Sequence, residues 1–228
     1  RSLGLPAVVG LPGAAGLADG TVVRVDGAAG TVEVGVDPTA VGAAAGELPD
    51  YAGPGRTADG HAVQLLLNIG SAADLATGGG GPAAALRDAG IAAAEGVGLF
   101  RTEFLFLDRH DMPAPDEQQA AYEAAFRAAG GRKVVLRTLD AGADKPLPFL
   151  GLRPEPNPAL GVRGLRVARV RPEVLTAQLR AVAAAARAAG AEVWVMAPMV
   201  STAAEAASFA GAVRQAGLPT PGVMIEVP

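Results

Sequence analysis

The sequence has 228 residues, enough for one or two domains with a sizeable core, and carries a formal net charge of -4 at pH 7. This weak acidity and an aromatic content of 4% argue against a nucleic-acid interface, which needs a basic surface and stacking rings. The absence of cysteine excludes disulfides, a catalytic thiol and cysteine metal ligands within these residues; it fits an intracellular protein without excluding a secreted one. Every long apolar stretch is interrupted by Arg, Glu, Gly or Pro, so no membrane-spanning segment is predicted.

The beginning of the chain predicts a small β structure over residues 1–36. Residues 21–25 alternate in polarity, and a second short strand at residues 31–34 follows turn-forming pairs that include Asp26-Gly27. Residues 37–60 are rich in Gly, Pro and Ala, which predicts a linker with a short helix near residues 40–45. We interpret the β structure as the end of a domain that starts before Arg1.

From His61 onward, apolar strands alternate with helices. Near-continuous apolar strands that alternate with helices are typical of a parallel sheet covered on both faces, so the predicted fold class is α/β. The predicted strands are residues 63–69, 97–100, 133–136, 192–196 and 222–225, and the predicted helices are residues 82–95, 116–129, 175–189 and 202–215.

Charged residues follow three of these strands at their carboxyl ends, namely Arg101, Arg137 and Glu226, and Asn68 ends the first strand. Parallel α/β folds bind ligands at this edge of the sheet. Two arginines there suit a phosphate or carboxylate, and Mg²⁺ could bridge such an anion to Glu226. An alternative stays open at this point, in which Arg101 and Glu226 form purely structural ion pairs.

Several longer motifs carry a family resemblance. They are GVGLFRTEFLFLDR at residues 96–109, VVLRTLDAGADKP at 134–146, NPALGVRGLR at 157–166, MAPM at 196–199 and GVMIEVP at 222–228. Together they resemble Enzyme I of the bacterial sugar phosphotransferase system, a phosphoenolpyruvate–protein phosphotransferase, and residues 1–10 resemble the segment after that family's phosphorylated histidine. One departure is Gly142-Ala143, where the family usually has two glycines. Motifs of this length in the family's order are more specific than one short match.

The resemblance implies a domain organisation and a site. Residues 1–38 would be the C-terminal part of a phosphohistidine swivelling domain, 39–60 a linker, and 61–228 the N-terminal part of a phosphoenolpyruvate-binding (β/α)₈ TIM barrel. The substrate-binding residues would be Arg101, Arg137 and Arg163, and Glu226 would be a ligand of Mg²⁺. The implied partners are phosphoenolpyruvate and a histidine phosphocarrier protein, in a cytoplasmic enzyme that is a homodimer when full length.

The resemblance also implies that catalytic groups lie outside these residues. The phosphorylated histidine would precede Arg1, whereas a second magnesium ligand, a further substrate arginine and an acid cysteine would follow Pro228. We therefore expect an incomplete barrel of about five strands, inactive by itself. Two alternatives stay open: a related enzyme such as pyruvate phosphate dikinase or phosphoenolpyruvate synthase, and a non-catalytic protein that only binds phosphoenolpyruvate.

Other polar residues have simpler interpretations. His61 and His110 are expected at the surface, and Gly78–Gly81 is expected to be a surface insertion, since it lacks the Lys-Ser/Thr of a phosphate-binding loop. Glu103 is expected to orient a neighbouring arginine. Three charged residues follow the third strand, and they either orient Arg137 or reach phosphate, or else form a loop ion-pair network; they are Asp140, Asp144 and Lys145. Met196, Met199 and Met224 are expected to fill the core.

Overall fold

The computed structural model describes residues 6–27, 29–37, 55–77, 88, 90–107, 109–143 and 147–228. The chain divides into two compact units, Arg1–Pro49 and Asp50–Pro228. The predicted helix near residues 40–45, the Gly78–Gly81 segment, most of the predicted helix 82–95, Asp144 and Lys145 lie outside the described residues.

The first unit contains the predicted β-hairpin. Strands β1 (Val23–Asp26) and β2 (Thr31–Val34) pair antiparallel, with Val23 opposite Val34. The Asp26 carboxylate accepts a hydrogen bond of 2.8 Å from the backbone N–H of Ala29, which is the usual way for Asp to stabilise a turn. A short 3₁₀ helix, Ala14–Gly16, precedes the hairpin.

The second unit begins with a hairpin that the sequence did not predict. Strand β3 (Gly55–Arg56), at the end of the predicted linker, pairs antiparallel with β4 (Ala62–Val63). The predicted strand 63–69 is therefore wrong as one element, because the chain leaves β4 and starts a new strand, β5 (Leu66–Ile69), in a different sheet. His61 lies in this hairpin and is exposed, as is His110, which agrees with their expected surface positions.

A five-stranded parallel sheet forms the centre of the second unit, in the order β5-β6-β7-β8-β9. The remaining strands are β6 (Gly96–Arg101), β7 (Lys133–Arg137), β8 (Val193–Ala197) and β9 (Thr220–Val223). Strand β9 starts two residues before the prediction and contains Pro221, which has no N–H to donate. Proline is tolerated there because β9 pairs only with β8 among the described strands.

Helices connect these strands: α1 (Pro115–Ala128), α2 (Val167–Val170), α3 (Pro172–Ala189) and α4 (Ala203–Gln215), and residues 90–93 are also helical. Proline is the first residue of α1 and α3, where its missing N–H removes no helical hydrogen bond. Gly190 ends α3 with φ 61°, a conformation that glycine adopts without strain. The Thr202 side chain and Glu205 form a capping box at the start of α4.

The core lies between the sheet and these helices. Alternate strand residues are fully buried in it, including Val134, Leu136, Val193 and Val195, and they share one cluster with Tyr122 and Phe126 of α1. Full burial of such side chains stabilises the fold by about 1.5–3 kcal/mol each. A second buried cluster includes Phe106 and Leu150 and lies under the segments that follow β6 and β7.

The sheet order agrees with the predicted α/β class. Five parallel strands that follow one another in chain order are the arrangement found in the wall of a (β/α)₈ barrel, whereas the strand order of a doubly wound sheet reverses at a switch point. Among the helices of the described residues, none has the length and apolarity required to cross a bilayer.

Candidate functional site

The candidate site lies at the carboxyl edge of the parallel sheet. Arg101 ends β6 and Arg137 ends β7, and the two are direct neighbours in the strand register. Arg137 is in turn the neighbour of Met196 on β8, which is next to Gly222 on β9. Side chains alternate between the two faces along each strand, and residues that are register neighbours on adjacent strands lie on the same face, so these residues occupy one face of the sheet.

Arg137 is held by buried carboxylates. Its exposed fraction is 9%, and its Nη2 forms an ion pair with Glu103 and a second one, of 3.2 Å, with Asp140. Nη1 also lies 3.7 Å from the sulfur of Met224, so this methionine contacts the site as well as filling space. The expectation that Glu103 orients a neighbouring arginine is confirmed.

Asp140 connects two of the predicted substrate residues. Its carboxylate accepts hydrogen bonds from Arg163 Nε at 2.8 Å and Nη2 at 3.1 Å, and it also pairs with Arg137. Gly142 permits this arrangement, because a Cβ there would lie 2.8 Å from the Cβ of Arg163. Asp140 therefore belongs to a buried ion-pair network and also orients Arg137, which agrees with both interpretations of its sequence position.

Arg101 has a different environment. Its guanidinium carbon lies 4.9 Å from the centre of the Phe104 ring, and no ion pair to it is found within the described residues. Its Nε and that of Arg137 are buried without a hydrogen-bond partner in this part of the chain. Buried N–H donors without partners are costly unless a ligand accepts from them, and two of them on adjacent strands suit an oxyanion.

Glu226 lies three residues after the end of β9. One carboxylate oxygen accepts a hydrogen bond of 2.9 Å from the backbone N–H of Met199, and the residue is exposed. Met199 has φ 63°, which is uncommon for a residue other than glycine and is typical of functional sites. Neither Arg101 nor Glu226 forms an ion pair within the described residues, so the interpretation that they form structural ion pairs is not supported.

The donor chemistry of Glu226 is compatible with Mg²⁺. Magnesium is usually held by one or two carboxylates together with substrate phosphates and water, and an exposed carboxylate with one oxygen not hydrogen-bonded to described residues can serve as such a ligand. The described residues include no group of three or more His, Cys, Asp or Glu side chains that could bind a metal by themselves. Glu226 therefore fits a site that the substrate helps to form, rather than a metal site made by these residues alone.

A buried polar layer supports the edge from the helix side, and the sequence did not predict it. Gln178 of α3 donates to Thr102 Oγ1 at 3.1 Å and to the Tyr122 hydroxyl at 3.0 Å, and it accepts from the backbone N–H of Leu139 at 2.9 Å. Thr102 in turn donates to the carbonyl of Arg137 at 2.9 Å. The sequence feature that could have indicated this layer is Gln178 itself, a polar residue among the buried positions of an amphipathic helix.

This layer perturbs one titratable group. Burial raises the pKa of Tyr122, the hydrogen bond from Gln178 lowers it, and the negative charge of Glu103 raises it. The net pKa shift is upward, so the Tyr122 phenol stays neutral at physiological pH. Its hydroxyl also lies 3.4 Å from Gln118 Oε1, which it can use as an acceptor. The layer thus joins the ends of β6 and β7 through neutral hydrogen bonds.

The site as a whole favours an anion. Arg137 and Arg163 are balanced by two buried carboxylates, Glu103 and Asp140, whereas Arg101 has no carboxylate partner among the described residues and keeps its positive charge. The sequence family agrees with this chemistry: residues 49–228 match the PEP-binding domain of PEP-utilising enzymes. The chain belongs to the PEP-utilising enzymes. Its match covers well over half of the sequence, including the whole parallel sheet.

Similarity to individual curated proteins points to the same family. Over its full length the chain is 50% identical to a phosphoenolpyruvate-protein phosphotransferase of Streptomyces coelicolor and 43% identical to one of Haloferax volcanii, covering 41% of each relative. It is also 38% identical to a multiphosphoryl transfer protein of Rhodobacter capsulatus, of which it covers 28%. The chain thus spans about two fifths or less of these relatives. The resemblance to phosphoenolpyruvate–protein phosphotransferases, first seen in the motifs, is confirmed.

Proposed function

We propose that this chain is the phosphoenolpyruvate-binding part of a phosphoenolpyruvate–protein phosphotransferase. The complete enzyme takes the phosphoryl group of phosphoenolpyruvate onto a histidine and passes it to a histidine phosphocarrier protein in sugar uptake. The similarity to relatives named for this activity supports the phosphotransferase over pyruvate phosphate dikinase or phosphoenolpyruvate synthase. Neither His61 nor His110 is proposed as the phosphorylated residue, because neither lies in a segment that matches the family's phosphorylation motif.

The observation that carries this proposal is the alignment of Arg101 with Arg137 at the carboxyl edge. Phosphoenolpyruvate carries a phosphate and a carboxylate, and each arginine can donate two parallel hydrogen bonds to such a group. Arg163, joined to Arg137 through Asp140, completes the proposed substrate-binding set. In phosphoryl transfer these residues position the substrate and neutralise charge on the phosphoryl oxygens.

Magnesium is part of the proposal. Glu226 would hold Mg²⁺ together with oxygens of the substrate phosphate, and the ion would supply further neutralisation of the phosphoryl charge. Glu226 itself is oriented by the backbone N–H of Met199. This hydrogen bond fixes one carboxylate oxygen and leaves the other for the ion.

The proposed organisation follows the family. Residues 1–38 are proposed as the C-terminal part of the swivelling domain, 39–60 as the linker and 61–228 as the first five strands of a TIM barrel. The sequential order of the parallel strands supports the barrel. The complete protein is proposed to be a cytoplasmic homodimer.

The test uses the complete protein that contains this chain. Arg137→Ala is expected to reduce phosphorylation by labelled phosphoenolpyruvate at least about a hundredfold, because it removes a charge-assisted contact to the substrate anion. Arg127→Ala, which removes an exposed arginine of α1, is the matched control and is expected to leave the rate within about twofold. Near-normal phosphorylation of the Arg137 variant would contradict the proposal. Phosphoenolpyruvate binding by the unmutated protein without any phosphohistidine would instead indicate the non-catalytic alternative.

A further inference from the structure

The three arginines of the site are supported in two different ways. Arg137 pairs with Glu103 and Asp140, and Arg163 pairs with Asp140. These carboxylates fix the two side chains and also compensate their charge. Arg101, in the described residues, has only an aromatic ring beside its guanidinium.

That ring belongs to Phe104, which lies on the backbone of Gly70. A Cβ built on Gly70 would lie 2.5 Å from Cδ2 of Phe104, which is too close for two carbon atoms that are not bonded to each other. Gly70 follows β5, and the last residue of that strand, Ile69, is the register neighbour of Phe100 on β6. The end of one strand thus provides the support for a ring that contacts the arginine at the end of the next.

We propose that Phe104 is the positioning residue of Arg101 and that Gly70 is the support of Phe104. A guanidinium over a ring face is attracted by the ring quadrupole, which orients the group without adding a negative charge. Arg101 therefore keeps its full charge for the substrate, whereas part of the field of Arg137 and Arg163 is cancelled by Glu103 and Asp140. This inference rests on the proposed function, since it concerns the orientation of a substrate-binding arginine.

The Phe104 ring is half exposed, which is unusual for a phenylalanine that only fills a core; its exposed fraction is 47%. Exposure is expected of a ring that supports a side chain at the mouth of a site. We expect the loss of this cation–π contact to weaken affinity by about tenfold, which corresponds to about 1.4 kcal/mol and lies between the values for exposed and desolvated contacts.

The experiment is a double-mutant cycle on phosphoenolpyruvate affinity, measured by titration calorimetry with the complete protein. Phe104→Leu is expected to weaken binding about tenfold, and Phe104→Tyr, which keeps the ring, to stay within about twofold. In an Arg101→Ala background, Phe104→Leu is expected to have almost no further effect, because its influence passes through Arg101. An equal loss in both backgrounds would show a merely structural role and overturn the inference.

Gly70→Ala provides a second, independent perturbation, because the added methyl group displaces the ring without removing it. We expect it to weaken binding severalfold in the unmutated background and to add little to Phe104→Leu. Gly211→Ala in α4 is the control, since its Cβ meets no atom within 4 Å. If Arg101→Ala itself leaves affinity unchanged, the proposed substrate site is wrong; if only the Phe104 and Gly70 variants are silent, this inference alone is wrong.

Discussion

Buried charge is the main feature of the site at the scale of single residues. Glu103 is 4% exposed and forms an ion pair with Arg137, which is itself buried. Without Glu103, the buried Arg137 would have to share the Asp140 carboxylate with Arg163, so Glu103→Ala is expected to lower the free energy of unfolding by about 3 kcal/mol. The change is measured by chemical denaturation of the complete protein, with a signal that reports on the unfolding of the second unit.

The control for this prediction is an ion pair of the same charge type at the surface. Arg109 and Glu117 pair with side chains that are 38% and 42% exposed, and Glu117→Ala is expected to cost no more than about 1 kcal/mol. Equal costs for the two variants would mean that Glu103 is not a buried structural partner of Arg137.

The sequence predicted the position of these charges better than their partners. An apolar strand that ends in a charged residue indicates the carboxyl edge, which located Arg101 and Arg137 at the ends of β6 and β7, whereas Glu226 lies three residues after β9. The sequence did not identify the partner of Glu103. Arg101 is only two residues away, but the ion pair forms with Arg137 on the next strand. The Phe104–Gly70 contact depends on how two strand ends approach each other, which no local pattern encodes.

At the scale of elements, a hydrogen-bonded layer joins two strand ends to two helices. Tyr122 of α1 accepts from Gln178 of α3, which also contacts the segments after β6 and β7. Because burial raises the pKa of Tyr122, the folded protein retains the phenol proton at pH values where the unfolded chain has lost it. Stability from this group is therefore complete below pH of about 10, the usual tyrosine value, and decreases as the pH rises above it.

Tyr122→Phe tests this linkage. At pH 7 the variant is expected to lose about 1 kcal/mol from the missing hydrogen bonds, and this difference should shrink above pH of about 10, where the wild type is penalised for holding the proton. Thermal melts between pH 7 and 11 provide the measurement. The chain has two tyrosines, so the reference protein and the variant should both carry Tyr51→Phe, and phenols elsewhere in the complete protein cancel when the two are compared. A difference in stability that stays constant up to pH 11 would contradict the raised pKa.

Most elements could be predicted from the sequence because their patterns are local. The apolar periodicity and the terminal residues of α3 and α4 marked both helices, including Thr202 and Gly190 at their ends. The hairpin of β3 and β4 was missed because each strand has two residues, too few for an alternation to show. The start of β9 was predicted two residues too late, because Pro221 disfavours a strand anywhere except at an edge and Gly222 weakens one.

At the scale of the whole molecule, the parallel sheet of the second unit has two edge strands in the described part of the chain. Strands β5 and β9 each have one neighbour in that sheet among the described residues. Just beyond β9, Ile225 is 82% exposed, and Val223 within it is 37% exposed. In the proposed barrel these groups would be covered by the next strand and helix.

Residues 1–228 expressed alone are therefore expected to self-associate, since an unpaired parallel strand with apolar neighbours is a template for pairing with another chain. Light scattering after size exclusion, over a range of concentrations, measures this directly. Ile225→Asp is expected to reduce association, because it places a charge beside the free edge. Val9→Asp alters a side chain that is 92% exposed in the first unit and should have no comparable effect. A monomer at all concentrations with a sharp cooperative melt would contradict this expectation, because it would show that the five strands are stable without further strands to close the sheet.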